Sequence, residues 1–243
     1  MANDPARRTI LTGLGAAAGS AALTAGAPTD GDPARARSSR ALIGRATRDE
    51  VHVMGFNIRY DRSANGDTVS GEPDRRPLLV ELLEREKPTL LGIQEALYGQ
   101  LAAIESALPR HRSVGYGRAG GSDGEHSAIF YDTTRVEVLE WDQFWLSDTP
   151  SLIGSATRGN SVTRIVVWAR LRDLASGAEF AMINTHFDHQ SEPARVRSAD
   201  ALIDLVQGGE LDELPTIVTG DFNSWHRSRT RDLRSRRRSP SPG

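Results

Sequence analysis

Leu214-Pro215-Thr216-Ile217-Val218-Thr219-Gly220-Asp221-Phe222-Asn223 is the stretch on which the fold turns. A β-branched run, Thr216 to Val218, bounded by Pro215 and Gly220, signals a short buried strand. Gly220 is expected to let the backbone turn sharply where that strand ends. Asp221 and Asn223, two positions apart, face the same way if the chain stays extended. A carboxylate and a carboxamide at one sheet edge suit a hard cation, an attacking water or a phosphate oxygen. The same triplet also suits a polar turn after a core strand. Matching groups elsewhere in the chain decide between these readings.

Upstream, other apolar runs also end in polar residues. Val51 to Ile58 reads as a first strand and delivers Asn57. Pro77 opens a helix whose face is Leu78, Leu79, Leu82 and Leu83, and Pro88 stops it. Thr89 to Glu95 is a second strand ending in Gln94-Glu95, followed by helical spacing from Leu97 to Leu108. A carboxylate where a buried strand gives way to a helix must be solvated, paired or bound to a metal. Gly115 to Gly124 reads as a flexible, cleft-lining loop. It lacks the Lys-Ser/Thr of a nucleotide-binding phosphate loop.

Glu125-His126-Ser127 leads into a strand at Ala128 to Tyr131, with Val136 to Leu146 as its expected hairpin partner across Asp132 to Arg135. Trp141, Phe144 and Trp145 read as sheet packing. Val162 to Leu171, with Arg164 early in it, and Glu179 to Thr185 form another pair around Ser176-Gly177. The second of these ends in Asn184-Thr185-His186-Phe187-Asp188-His189. Two histidines and an aspartate in four positions fit phosphate or metal chemistry better than packing. Val196, Ala199, Leu202, Ile203 and Val206 make an amphipathic helix before the Leu214 strand.

Length and charge set the outer bounds. The 243 residues allow one large domain or two small ones, with 26% charged and 38% apolar residues typical of a globular protein. The net charge of −2 conceals an acidic middle: Val51 to His226 holds 16 Arg/Lys against 26 Asp/Glu, a balance near −10. That argues against tight non-specific binding to a long polyanion. With no cysteine, disulfides, thiolate metal sites and cysteine nucleophiles are excluded.

The two ends read differently from the middle. Residues 1–30 carry Arg7-Arg8, a weakly apolar Gly/Ala/Leu stretch and Ala25-Gly26-Ala27, the pattern of a twin-arginine export signal. The expected location is extracytoplasmic, or membrane-anchored if the signal is not cut. Residues 31–50 read as a disordered linker and 227–243 as a disordered Arg/Ser tail. Such a tail fits either a nucleic-acid-binding segment or a frameshifted or truncated gene, and the abrupt compositional change after Trp225-His226 favours the latter.

Asn57 in FNIRY, Glu95 in IQE, Glu125 in GEHSAIFY, His186 in NTHFDH, and Asp221 with Asn223 in TGDFN occur in an order and spacing that resembles the endonuclease/exonuclease/phosphatase superfamily of DNase I-like phosphoesterases, in its secreted prokaryotic branch. The resemblance covers Val51 to Ser224. It implies an α/β (α+β) fold, a four-layer α/β/β/α sandwich, with the family's last strands and its Ser-Asp-His motif missing from domain 51–226.

It also implies roles. Glu95 would ligate Mg²⁺ (with Mn²⁺ as a substitute), and Asn57 would contact metal or substrate phosphate. Asp221 would orient or deprotonate the water, Asn223 would help position the phosphate or metal, and His186 would donate to a phosphate oxygen. Glu125 would be an orienting carboxylate and Arg164 a phosphate contact. The implied activity is in-line water attack on a phosphoester in nucleic acid, a sugar phosphate or a phospholipid headgroup, as a nuclease or phosphatase. The alternatives are an inactive truncated metal- or phosphate-binding domain, or a nucleic-acid binder acting through its Arg tail. Beyond the substrate and the twin-arginine export machinery, no obligate protein partner is inferred.

Overall fold

Short apolar runs become strands wherever alternate residues can be buried on two sides, and this chain uses that pattern twice over. In a computed structural model, residues 40–48, 50–61, 75–208 and 211–224 are described. The chain divides into Met1–Ser38 and Ser39–Gly243, and the described residues belong to the second unit. The twin-arginine segment, the turn-rich stretch that follows Asp61 and the Arg/Ser tail lie outside the described residues. The elements are β1 (Val53–Asn57), α1 (Arg76–Glu86), β2 (Leu90–Gln94), α2 (Tyr98–Ala107), β3 (His111–Val114), β4 (Ile129–Asp132), β5 (Val136–Trp145), β6 (Ile165–Asp173), β7 (Glu179–His186), α3 (Glu192–Gln207) and β8 (Thr216–Asp221).

They build two four-stranded sheets, ordered β1-β2-β4-β3 and β5-β6-β7-β8. Neighbours are antiparallel except for β1 with β2 and β7 with β8, which run parallel. The sheets face each other over a core that includes Leu90, Ile129, Val167, Leu171 and Met182. Helices α1 and α2 cover the outer face of the first sheet through Leu83, Leu101 and Ile104. Helix α3 covers the second through Ala199 and Leu202. The result is the four-layer α/β/β/α sandwich that the sequence implied.

Helix boundaries follow local chemistry. Proline sits in the first turn of α1, which ends at Lys87 in a left-handed conformation (φ 43°) just before Pro88. Asp188 prepares the start of α3 by accepting the amides of Gln190 and Ser191, each at 2.8 Å, and Ser191 Oγ then accepts from Ala194 N.

Four expectations need correction. Gly220 does not turn the chain: β8 continues through it to Asp221. Its function is close approach, since a Cβ there would lie 2.6 Å from the Thr185 carbonyl oxygen of β7. The β4–β5 hairpin does not form either. The Asp132–Arg135 turn closes as expected, with Arg135 N bonding Asp132 O, but it hands the chain from one sheet to the other. The glycine-rich loop is wound on itself by bonds such as Gly117 N to Gly121 O at 2.8 Å.

Lastly, the linker reading fails for residues 40–48. The amides of Leu42, Ile43 and Gly44 donate to the Glu86 carboxylate at 2.6, 3.1 and 3.1 Å. His52 Nδ1 meets Gly44 O at 2.8 Å, and the Arg135 guanidinium reaches the carbonyls of Ala46, Arg48 and Glu50.

Candidate active site

Register puts the site residues together. Residues two apart on a strand share a face, and four strands present inward files in matching steps. Pairing of β1 with β2 aligns Val53 with Leu90, Gly55 with Gly92 and Asn57 with Gln94. Pairing of β7 with β8 aligns Met182 with Ile217, Asn184 with Thr219 and His186 with Asp221. The space between the sheets is therefore tiered. Val53, Leu90, Met182 and Ile217 form an apolar base.

Above that base, Gly55 and Gly92 make room for Thr219 and Asn184. A Cβ on Gly92 would lie 2.6 Å from Asn184 Oδ1 and collide with Thr219 Oγ1. Asn184 is fully buried. Its Oδ1 accepts from Gln94 Nε2 (2.8 Å) and Thr219 Oγ1 (2.9 Å), and its Nδ2 donates to the carbonyls of Ile93 and Ala128. A buried amide so fully paired costs little and fixes the spacing of the sheets.

The upper tier holds the chemistry. Asn57 Nδ2 donates to Glu95 Oε1 at 2.7 Å and to Asp221 Oδ2 at 2.9 Å, linking a carboxylate from each sheet. Asn57 Oδ1 is taken by Arg59 N. Glu95 Oε2 accepts from Tyr60 N at 3.2 Å, and the segment around Tyr60 is clamped by Gln100, which bonds Arg59 O and Asp61 N. Asp221 Oδ1 accepts from Asn223 N at 3.0 Å. Asn223 Nδ2 donates to Phe187 O at 3.0 Å and meets His186 Nε2 at 2.9 Å. Ligand atoms of Glu95, His186 and Asp221 lie within 4.8 Å of one another. Glu95 (φ 66°), Asn223 (φ 45°) and Arg59 (φ 59°) all adopt the left-handed region. Held strain of this kind gathers at functional sites.

Burial, with the nearby Arg164 charge, holds the His186 imidazole down at about 4 against the pull of Asp221 and Glu95. It is therefore neutral near pH 7 and accepts from Asn223. Donation from Nε2 to a phosphate would require that contact to be exchanged. Asn57 turns its amino group to both carboxylates and its oxygen to Arg59 N, so it spaces the metal-ligand candidates.

Glu125 and Arg164 flank this cluster without hydrogen-bonding to it. Burial raises the Glu125 carboxyl pKa, opposed by the charges of Arg118 and Arg164. Burial lowers that of the Arg164 guanidinium, opposed chiefly by Glu125. Arg164 Nη2 contacts His189 Nδ1 at 3.3 Å. Asp188, grouped with the histidines by sequence, spends its carboxylate on Ser161, Gln190 and Ser191. Burial would raise its carboxyl, but bonds from Ser161 Oγ and from the amides of Ser191, Gln190 and Ser161 hold it well below the usual range. Sequence reasoning missed Gln100 and Arg118. The position of Gln100, three residues after Leu97 at the start of α2, was the available signal for the first.

The comparisons agree with this fold. The model of the endonuclease/exonuclease/phosphatase family matches residues 54–241. A family protein from Bacteroides vulgatus shares 32% identity at TM-score 0.69, over 75% of this chain and 69% of that one. A second, from Bacteroides thetaiotaomicron, shares 34% at 0.68, over 75% and 67%. A mannosyl-6-phosphatase from Bacteroides thetaiotaomicron shares 33% at 0.66, over 76% and 69%. None of the curated proteins compared matches the sequence. On fold, site and family match together, this chain belongs to the endonuclease/exonuclease/phosphatase family of phosphoester-hydrolysing enzymes.

Proposed function

We propose that the chain hydrolyses a phosphoester by water attack assisted by a divalent cation, Mg²⁺ foremost, held by Glu95 and Asp221. The observation that carries this is the meeting of two carboxylates from opposite sheets with a neutral imidazole inside 4.8 Å. The donor chemistry fits: carboxylate oxygens are what a hard cation prefers. When bound, such a cation offsets the negative charge that builds on the phosphoryl oxygens.

The protein's own groups supply positioning. Asp221 is oriented by Asn57 and Asn223, leaving lone pairs to accept a proton from water. Asn57 keeps the two carboxylates at fixed separation. Arg164 lends positive charge to the side where phosphate would sit. Likeness to a mannosyl-6-phosphatase supports a phosphorylated sugar as the substrate class. The Arg7-Arg8 pattern supports action outside the cytoplasm.

The test is release of phosphate from mannose 6-phosphate and p-nitrophenyl phosphate, with Mg²⁺ and after EDTA. EDTA should abolish turnover and added Mg²⁺ restore it. Glu95→Ala and Asp221→Ala should each lower kcat/KM by about 100- to 1,000-fold. Turnover indifferent to EDTA and to Glu95→Ala would sink the reading. Calorimetric Mg²⁺ binding without product would instead mark a binding-only domain.

A further inference from the structure

The glycine-rich loop carries a guanidinium that the reaction as described does not use. Three backbone segments lie side by side next to Glu95, since His126 bridges Ala96 on one side and Gly117 on the other. Ala96 directly follows Glu95, and Arg118 directly follows Gly117. Two ladder spacings put the Gly117 backbone, next to Arg118, about 10 Å from that of Ala96. That span accommodates one arginine side chain plus a phosphoryl group.

The loop is built to hold Arg118 still. Its N–H donates to Glu125 O at 3.0 Å, and its carbonyl accepts from Trp145 Nε1 at 2.7 Å. Its Nη1 meets Glu125 Oε2 at 2.9 Å. The loop needs Gly117, because a Cβ there would run into the Asp123 backbone. The side chain nonetheless stays 25% exposed, whereas Glu125 beneath it is 14% exposed.

Charge supplies the second half of the argument. Glu125 pairs directly with Arg118, and its charge also bears on Arg164, as does that of Asp188. The Arg118 charge bears on both His186 and Arg164. Arg118 is thus a partly exposed positive charge beside a cluster that already has the means to bind one phosphate charge through a cation. A diester carries one negative charge and a terminal monoester near two.

We propose that Arg118 is a specificity residue that contacts substrate, its guanidinium held on Glu125 so as to take the second negative charge of a terminal phosphomonoester. The assignment rests on the phosphoesterase reading above and names the substrate class within it. Arg118 favours monoesters over diesters, and Arg164 alone does not suffice for both oxygens.

The experiment compares wild type, Arg118→Gln and Arg118→Lys on p-nitrophenyl phosphate and bis(p-nitrophenyl) phosphate with Mg²⁺. Inorganic phosphate serves as competitive inhibitor and as calorimetric titrant. Arg118→Gln should raise KM for the monoester, and Ki and Kd for phosphate, by about 10- to 100-fold, the scale of one charge-assisted hydrogen bond. The diester kcat/KM should move by less than about threefold, within the scatter of a neutral contact. Arg118→Lys keeps the charge but loses the fork, and should recover most of the phosphate affinity; its Kd decides the matter if the glutamine variant melts early. Equal losses on both esters, or an unchanged phosphate Kd, would overturn the proposal. If wild type turns over neither ester, the phosphoesterase reading fails by itself, and the phosphate Kd of the variants still decides Arg118.

Discussion

At the scale of single residues, the site depends on small groups as much as on charged ones. Asn57 uses both amino hydrogens to tie Glu95 to Asp221. Asn57→Leu should weaken Mg²⁺ binding by about 10- to 100-fold, the usual effect of removing a group that orients ligands, without altering the melt much. Calorimetry checks the first statement and thermal denaturation the second. Gly92→Ala should act the other way round. The added methyl meets Asn184 Oδ1 at 2.6 Å, so the sheets must separate or the buried amide must lose partners. A loss of about 1–3 kcal/mol of stability is expected from urea unfolding. Asn57, Glu95, His186, Asp221 and Asn223 lie together as the family resemblance implied; by residue pattern alone each was a polar group near a strand end, open to a plain turn or packing reading. Asn184 was not read as structural, since its partners lie on β2, on β8 and at Ala128 just before β4, remote in sequence.

At the scale of elements, strands with strong apolar runs were legible and their pairing was not. The HRSV sequence of β3 has no apolar run, so nothing local marked it. The β4–β5 connection carries hairpin residues, and Asp132 does cap the turn through Thr134. Whether the chain then returns to the same sheet or crosses to the other is set by tertiary packing, which turn chemistry does not encode. The segment at 40–48 was likewise hidden, because its composition is that of a linker while its backbone amides are what bind. Glu86 is its anchor. Burial would raise that carboxyl, but the amides of Gly44, Leu42 and Ile43 outweigh it and hold the pKa low. Glu86→Ala should speed hydrogen exchange at Leu42 to Gly44 and leave phosphate release unchanged. Exchange at wild-type rates would show that the segment is held elsewhere.

At the scale of the whole molecule, buried imidazoles make acid the weak direction. His111 and His126 are pushed below the ordinary 6.5 by burial, and His186 is held at about 4. The unfolded chain takes up protons below 6.5 while the folded one does not, so their contribution is whole above 6.5 and is lost as pH falls. Glu125, raised by burial, works in the opposite sense and offsets part of this. The metal-free melting temperature should therefore drop between about pH 7 and pH 4.5; a flat profile would mean the imidazoles charge freely in the folded state. The Asn57–Asp221 bond has a further consequence. It joins residues 164 positions apart, one on β1 and one on β8, which follows every other described element. A growing chain thus has Glu95 and His186 long before it has Asp221, and the three candidate ligands meet only when β8 docks along β7. Cation affinity gained during refolding is therefore a clock for completion of the second sheet.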